Sequence, residues 1–326
     1  MKISKYLLLI ILPVLFFIFP SITNAQDEIE KCFNYLRAQD YTKAIEAGEK
    51  AVKLYPDNVY SYFYLGRAYA SVGEFKLALT NMKEAERLAK NKNELMYIYN
   101  WLGLIYENMG DINNALSYDN KSFNLAKELG SKNVATAVLN NIAEIFRKKG
   151  EYDKALSYYE EALKLNTNEK DKASLYNNIA LLYGGKGDFK NAIDYFKKAI
   201  DIAEKYGDYY GLAQKLLNLG ETYRKARDFS NAEIYLMDGL NRIKKLNNKF
   251  LEATAYKYIG WLYRDKGDKQ TAKDYLAKAY NLFKSIGAEA DAKAANNALL
   301  SLTEQTDNEI VKQESKQKAV TEEKKE

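Results

Sequence analysis

The chain has 326 residues, with 3 Pro, 17 Gly, 28 Tyr, one Cys, no His and a formal net charge of +5. That length holds one large or two ordinary domains, and the scarcity of Pro suits a mostly helical chain. Without His the commonest proton shuttle and zinc ligand is missing, one Cys forms no internal disulfide or thiolate cluster, and the near-balanced charge argues against a basic stripe for nucleic acid.

Met1 to Ala25 reads as a secretory signal peptide. Lys2 and Lys5 form a basic n-region, Tyr6 to Phe19 is apolar around Pro13, and Thr23-Asn24-Ala25 ends in a small residue. Cleavage is predicted after Ala25, which makes the mature protein exported, periplasmic or extracellular. The alternative is an uncleaved segment kept as an anchor, and the membrane is reached in no other way. Beyond this leader no apolar run is long enough to cross a bilayer. The remaining residues carry 47 basic and 44 acidic side chains.

From Gln26 onward one pattern recurs seven times. A small residue is followed three places later by an aromatic: Cys32/Tyr35, Gly66/Tyr69, Gly103/Tyr106, Ala143/Phe146, Ala180/Tyr183, Gly220/Tyr223 and Gly260/Tyr263. Twelve residues after each small residue stands an alanine, from Ala44 through Ala272, and seven further on another small residue follows in most copies. Residues three apart share one helix face, and so do residues seven apart, so each copy predicts two helices in close contact. The turn between them holds Gly73, Gly110, Gly150, Gly187 or Gly267, with Arg227 in the sixth copy. An acid follows each turn: Asp40, Glu74, Asp111, Glu151, Asp188, Asp228 and Asp268. These seven acids are expected to cap second helices rather than to hold metal. Cys32 is expected to fill a helix–helix contact.

The pattern resembles the tetratricopeptide repeat family, with copies starting near residues 25, 59, 96, 136, 173, 213 and 253. The resemblance implies an all-α, right-handed superhelical solenoid of antiparallel helix pairs over residues 26–302, whose first helices line a concave groove. The first two copies stand 34 residues apart and later ones 37 or 40. These longer copies resemble those of kinesin light chains and bacterial peptide-responsive regulators. Ala288 to Leu302 is expected to form a capping helix, and residues 303–326, polar and rich in both charge signs, a disordered tail.

The resemblance makes first-helix residues not used in packing the candidates for ligand contact. Asn141, Asn178 and Asn218 stand two places before the small residue in three successive copies, with Asn140 and Asn177 beside them. Asparagine is a poor helix former, and its carboxamide matches the donor and acceptor of a peptide backbone. Two readings stay open: these residues grip a ligand main chain, or they bond neighbouring helices and fix the superhelical twist. Arg147, Arg224 and Arg264 are candidates for acidic ligand groups, although Glu144 and Glu221 are placed to neutralise the first two. Tyr64, Trp101, Tyr258 and Trp261 are candidate apolar anchors. The carboxylate clamp of chaperone-binding members is absent: Ile29 and Phe33 stand where Lys and Asn are expected.

The sequence thus reads as an exported, non-catalytic scaffold that binds a peptide or partner protein. No cofactor, metal or nucleic acid is expected. The alternative is a sensory or regulatory ectodomain-like partner of a membrane signalling system, and self-association is a further option. An enzyme is disfavoured, since no phosphate loop, metal cluster or nucleophile elbow is found.

Overall fold

The computed structural model describes residues 27–302. The signal-peptide expectation for residues 1–25 and the tail expectation for 303–326 lie outside them. The described chain is all-helical: α1 (Asp27–Arg37), α2 (Tyr41–Leu54), α3 (Val59–Ser71), α4 (Phe75–Leu88), α5 (Lys92–Met109), α6 (Ile112–Glu128), α7 (Lys132–Lys148), α8 (Tyr152–Leu165), α9 (Glu169–Lys186), α10 (Phe189–Lys205), α11 (Tyr209–Lys225), α12 (Phe229–Leu246), α13 (Lys249–Lys266) and α14 (Lys269–Ser285). A fifteenth helix, α15, spans 289–302. No described helix is long and apolar enough to cross a membrane.

Each pair is closed by a turn whose last free residue is left-handed. Gly73, Gly110, Gly150, Gly187 and Gly267 take φ between 76° and 87° there, and Gln39 and Arg227 adopt the same region at 59° and 64°. The acids behave by length. Asp40, Asp111, Asp228 and Asp268 each accept a hydrogen bond from a first-turn N–H of the following helix. Glu74 and Glu151 occupy the same position without that bond. Their extra methylene carries the carboxylate past the helix end, and Glu151 instead pairs with Lys149 and Lys154.

The small residues let the two helices of a pair approach. A Cβ on Gly220 would lie 2.6 Å from Leu236 Cγ, and one on Gly260 would lie 2.7 Å from Leu276 Cγ. Beside this contact the repeat aromatic stacks on a tyrosine of the second helix. Tyr106 and Tyr118 lie 5.5 Å apart, Phe146 and Tyr158 5.5 Å, Tyr223 and Tyr235 5.4 Å, and Tyr263 and Tyr275 5.9 Å, all within 7° of parallel. Cys32 is buried with Ala44, Ala47 and Ala51, and burial pushes its thiol up to about 12.

The described residues fall into two compact units, one ending at Asp188 and one starting at Phe189. In the N-terminal unit successive first helices pack on one another, α1 on α3, α3 on α5, α5 on α7 and α7 on α9. In the C-terminal unit α11 packs on α13 in the same way. Within each unit, successive second helices make no comparable contact among the described residues. Within each unit the first helices are therefore the tightly gathered layer. At the C-terminal end Ala292 and Ala295 of α15 pack with Ala253, Ala279 and Phe283, and Leu302 packs with Ala272 and Leu276.

Candidate functional site

The asparagines link neighbouring first helices of the N-terminal unit. Asn141 of α7 donates through Nδ2 to Oδ1 of Asn100 on α5 at 3.2 Å. Asn178 of α9 donates to Oδ1 of Asn140 on α7 at 2.8 Å, and Asn177 donates to Asn178 at 3.2 Å. Asn100, Asn140 and Asn141 are buried, whereas Asn177 and Asn178 keep part of their surface. A carboxamide offers two donors and two acceptor lone pairs, so one such bond to a neighbouring helix does not by itself saturate it. Asn218 lies on α11 in the C-terminal unit, partly exposed, and its backbone carbonyl accepts from the Thr222 hydroxyl at 2.8 Å.

The three candidate arginines are engaged within the protein. Arg147 makes a bidentate contact with Glu144 at 2.8 and 2.9 Å, and the Tyr159 hydroxyl donates to the same carboxylate. Burial alone would raise the Glu144 pKa, but its bonds to Arg147 and Tyr159 hold it below the usual value. Arg224 is bidentate to Glu221 at 2.7 and 2.8 Å and also reaches Asp265. Arg264 is exposed and meets Asp265 at 2.9 Å. The fork geometry is satisfied at Glu144 and Glu221, which lie one position after the small residue, three before each arginine.

The aromatic candidates form one cluster in each unit. In the C-terminal unit Tyr258 and Trp261 on α13 lie 5.6 Å apart, with Lys257 Nζ 5.5 Å and Arg224 Cζ 5.7 Å from the Trp261 ring. Lys257 in turn pairs with Asp291 of α15 at 3.3 Å. In the N-terminal unit Tyr64 is buried against Phe33 at 5.3 Å and Phe63 at 5.4 Å. Its phenol is pushed up to about 12 by burial.

The same cluster holds Arg67, one position after the small residue of the second copy, a first-helix position open to a ligand that was not among the candidate site residues. The Arg67 guanidinium lies 4.9 Å from the Trp101 ring, 5.6 Å from Phe63 and 5.7 Å from Tyr64. Its Nε is buried without a hydrogen-bond partner, and among the described residues it has no carboxylate within ion-pair distance. Burial lowers its pKa. The signal was present in the alignment of copies. The positions one and four after the small residue read Glu144/Arg147 and Glu221/Arg224 in two copies, but Arg67/Ala70 in the second. There the cation has no complement.

The tetratricopeptide repeat family profile matches residues 94–168, 171–245 and 216–285, and a second profile of the same repeat matches 34–93. No curated protein matches the sequence. Among solved structures, the chain is similar to BtubC from P. vanneervenii at 23% identity and a TM-score of 0.53, covering 70% of this chain and 94% of that one. It is similar to the apo quorum sensor NprR from B. thuringiensis at 15% identity and a TM-score of 0.61, covering 85% and 86%. It is also similar to the Rap conjugation gene regulator of the plasmid pLS20 in complex with the Phr* peptide, at 18% identity and a TM-score of 0.59, covering 81% and 75%. At these identities the likeness speaks to the fold, an all-α repeat solenoid. With the family profiles matching well over half of its length, the chain belongs to the tetratricopeptide repeat family.

Proposed function

We propose that the protein is a non-catalytic scaffold that binds a peptide or a partner protein on the face of its first helices. The observation that carries this reading is the gathering of first helices into one layer in each unit, on which Asn177, Asn178, Asn218, Tyr258, Trp261 and Arg264 keep part of their surface. A solved structure of similar fold contains a bound peptide, which supports the same class of ligand. Within the asparagine set, Asn177 and Asn178 keep the surface a ligand needs, while Asn140 and Asn141 serve it by holding α7 against its neighbours.

The test is the triple variant Asn141→Ala, Asn178→Ala, Asn218→Ala. Its expected behaviour is an intact helical circular dichroism spectrum together with loss of the partners that wild-type protein retains. Unchanged retention by a folded triple variant would show that the asparagines only join helices.

Export belongs to the same reading and rests on the sequence of Met1 to Ala25. N-terminal sequencing of protein recovered from cells is expected to begin at Gln26. A chain beginning at Met1 would count against cleavage.

A further inference from the structure

We propose that Arg67 is a receptor for a carboxylate carried by the peptide or protein partner. The proposal rests on the first-helix binding face above and names the chemistry of one contact on it. Arg67 lies on α3, a first helix, and Trp101 lies on the adjacent first helix α5. The arginine is partly buried among Trp101, Phe63 and Tyr64, its Nε has no partner, and no described carboxylate reaches it. The neighbouring Cys32 thiol and Tyr64 phenol are each pushed up to about 12, mainly by burial, so neither supplies a counter-charge near neutral pH.

A cation partly withdrawn from water without a partner is costly, and aromatic faces recover only part of that cost. The other arginines considered on these helices show how this chain deals with such a charge. Arg147 and Arg224 sit three residues after a glutamate and bind it with both arms of the fork. Arg264 meets Asp265. At Arg67 the position three before is Tyr64 and the position three after is Ala70. The rings hold the guanidinium in place and offer apolar surface beside it, while its charge stays uncompensated. A single guanidinium carries one charge, which one carboxylate neutralises through two parallel hydrogen bonds. A phosphate group, closer to a dianion, would be left half-neutralised. The fitting ligand is therefore an acidic residue, or a chain terminus, next to an apolar or aromatic side chain.

The experiment is fluorescence anisotropy of dye-labelled octapeptide pools on the full chain. One pool has central Glu and an amidated C-terminus, a second has Gln in its place, a third has Gln and a free C-terminus, and a fourth has phosphoserine. Arg67→Gln and Arg67→Lys are compared with wild type. A side-chain carboxylate ligand is expected to favour the first pool, and a terminal carboxylate the third. In either case Arg67→Gln is expected to lose about 30-fold or more in affinity for the preferred pool while binding the neutral pool as before. Arg67→Lys keeps the charge without the fork and is expected to fall between. Thermal melting guards against misfolding: Arg67→Gln is expected to melt no lower than wild type, since it removes an unpaired, partly buried charge. Equal affinity for acidic and neutral pools, a preference for phosphoserine, or an acidic preference that survives Arg67→Gln would each overturn the proposal. If no pool binds wild-type protein, the first-helix reading falls and this one with it. If all pools bind alike, only the carboxylate receptor falls.

Discussion

Asp119 stands four residues after Ala115, a position filled by Met82, Tyr159, Phe196, Leu236 and Leu276 in other pairs. Those side chains are fully buried, Met82, Leu236 and Leu276 against the glycine of the first helix, and Asp119 is buried likewise, with Oδ1 unpartnered against Gly103. Burial raises its pKa well above the ordinary value, and the negative charge of Glu107, itself held by Lys148 at 2.6 Å, adds to the rise. The folded state thus binds a proton that the unfolded chain has already released. This group's contribution is favourable below the unfolded pKa near 3.8 and is lost as pH rises through the higher folded value. Asp119→Leu is expected to stabilise the protein at pH 7 by roughly 1–3 kcal/mol in urea unfolding. Asp119→Asn is expected to flatten the pH dependence that wild type shows above the unfolded pKa near 3.8. Such a residue was legible as a departure from the repeat, as was Arg67 beside Ala70. What sequence could not supply was the partner. The alignment placed Asn141 and Asn178 at one position, but only coordinates show that their bonds run to Asn100 and Asn140.

In the helix pair, the close approach and the turn are separable. Gly220→Ala would drive a methyl group to 2.6 Å from Leu236 Cγ and 3.0 Å from its backbone nitrogen. The helices must part, and a loss of about 1–3 kcal/mol is expected on thermal or urea unfolding. Arg227 has the opposite sign. It holds φ 64° where the other pairs mostly place glycine, so Arg227→Gly relieves left-handed strain at some entropic cost. A gain of about 0.5–1 kcal/mol is expected, read by the same unfolding curves. The turns were readable from sequence because glycine marks the left-handed residue. Gln39 and Arg227 were not readable in that way, because repeat geometry imposes their conformation against local preference. The capping acids were readable as a class, but the split between Asp and Glu depended on side-chain reach. The second-helix tyrosines were missed altogether. Tyr118, Tyr158, Tyr235 and Tyr275 stand fifteen residues after the small residue, a spacing that joins two helices and so shows in no single-helix period.

Across the whole molecule the solenoid was the most legible feature, because a packing rule written seven times outweighs any single ambiguous residue. In a repeat array each helix pair rests on its neighbours alone, so damage stays local. Leu276→Ala empties a fully buried site beside Gly260 and Leu302, at an expected cost of about 2–5 kcal/mol. Hydrogen exchange is expected to quicken in α13 to α15 while α3 to α6 keep their protection. Uniform loss across all helices would show a single cooperative block instead. The two aromatic clusters bear on the same question. The chain has 2 tryptophans, Trp101 in the unit ending at Asp188 and Trp261 in the unit starting at Phe189, each with an arginine over its ring. Each unit therefore carries its own built-in emitter, and a Trp→Phe change at either one silences that half of the signal. The opening of the two units can be timed separately in one intact chain, by light alone.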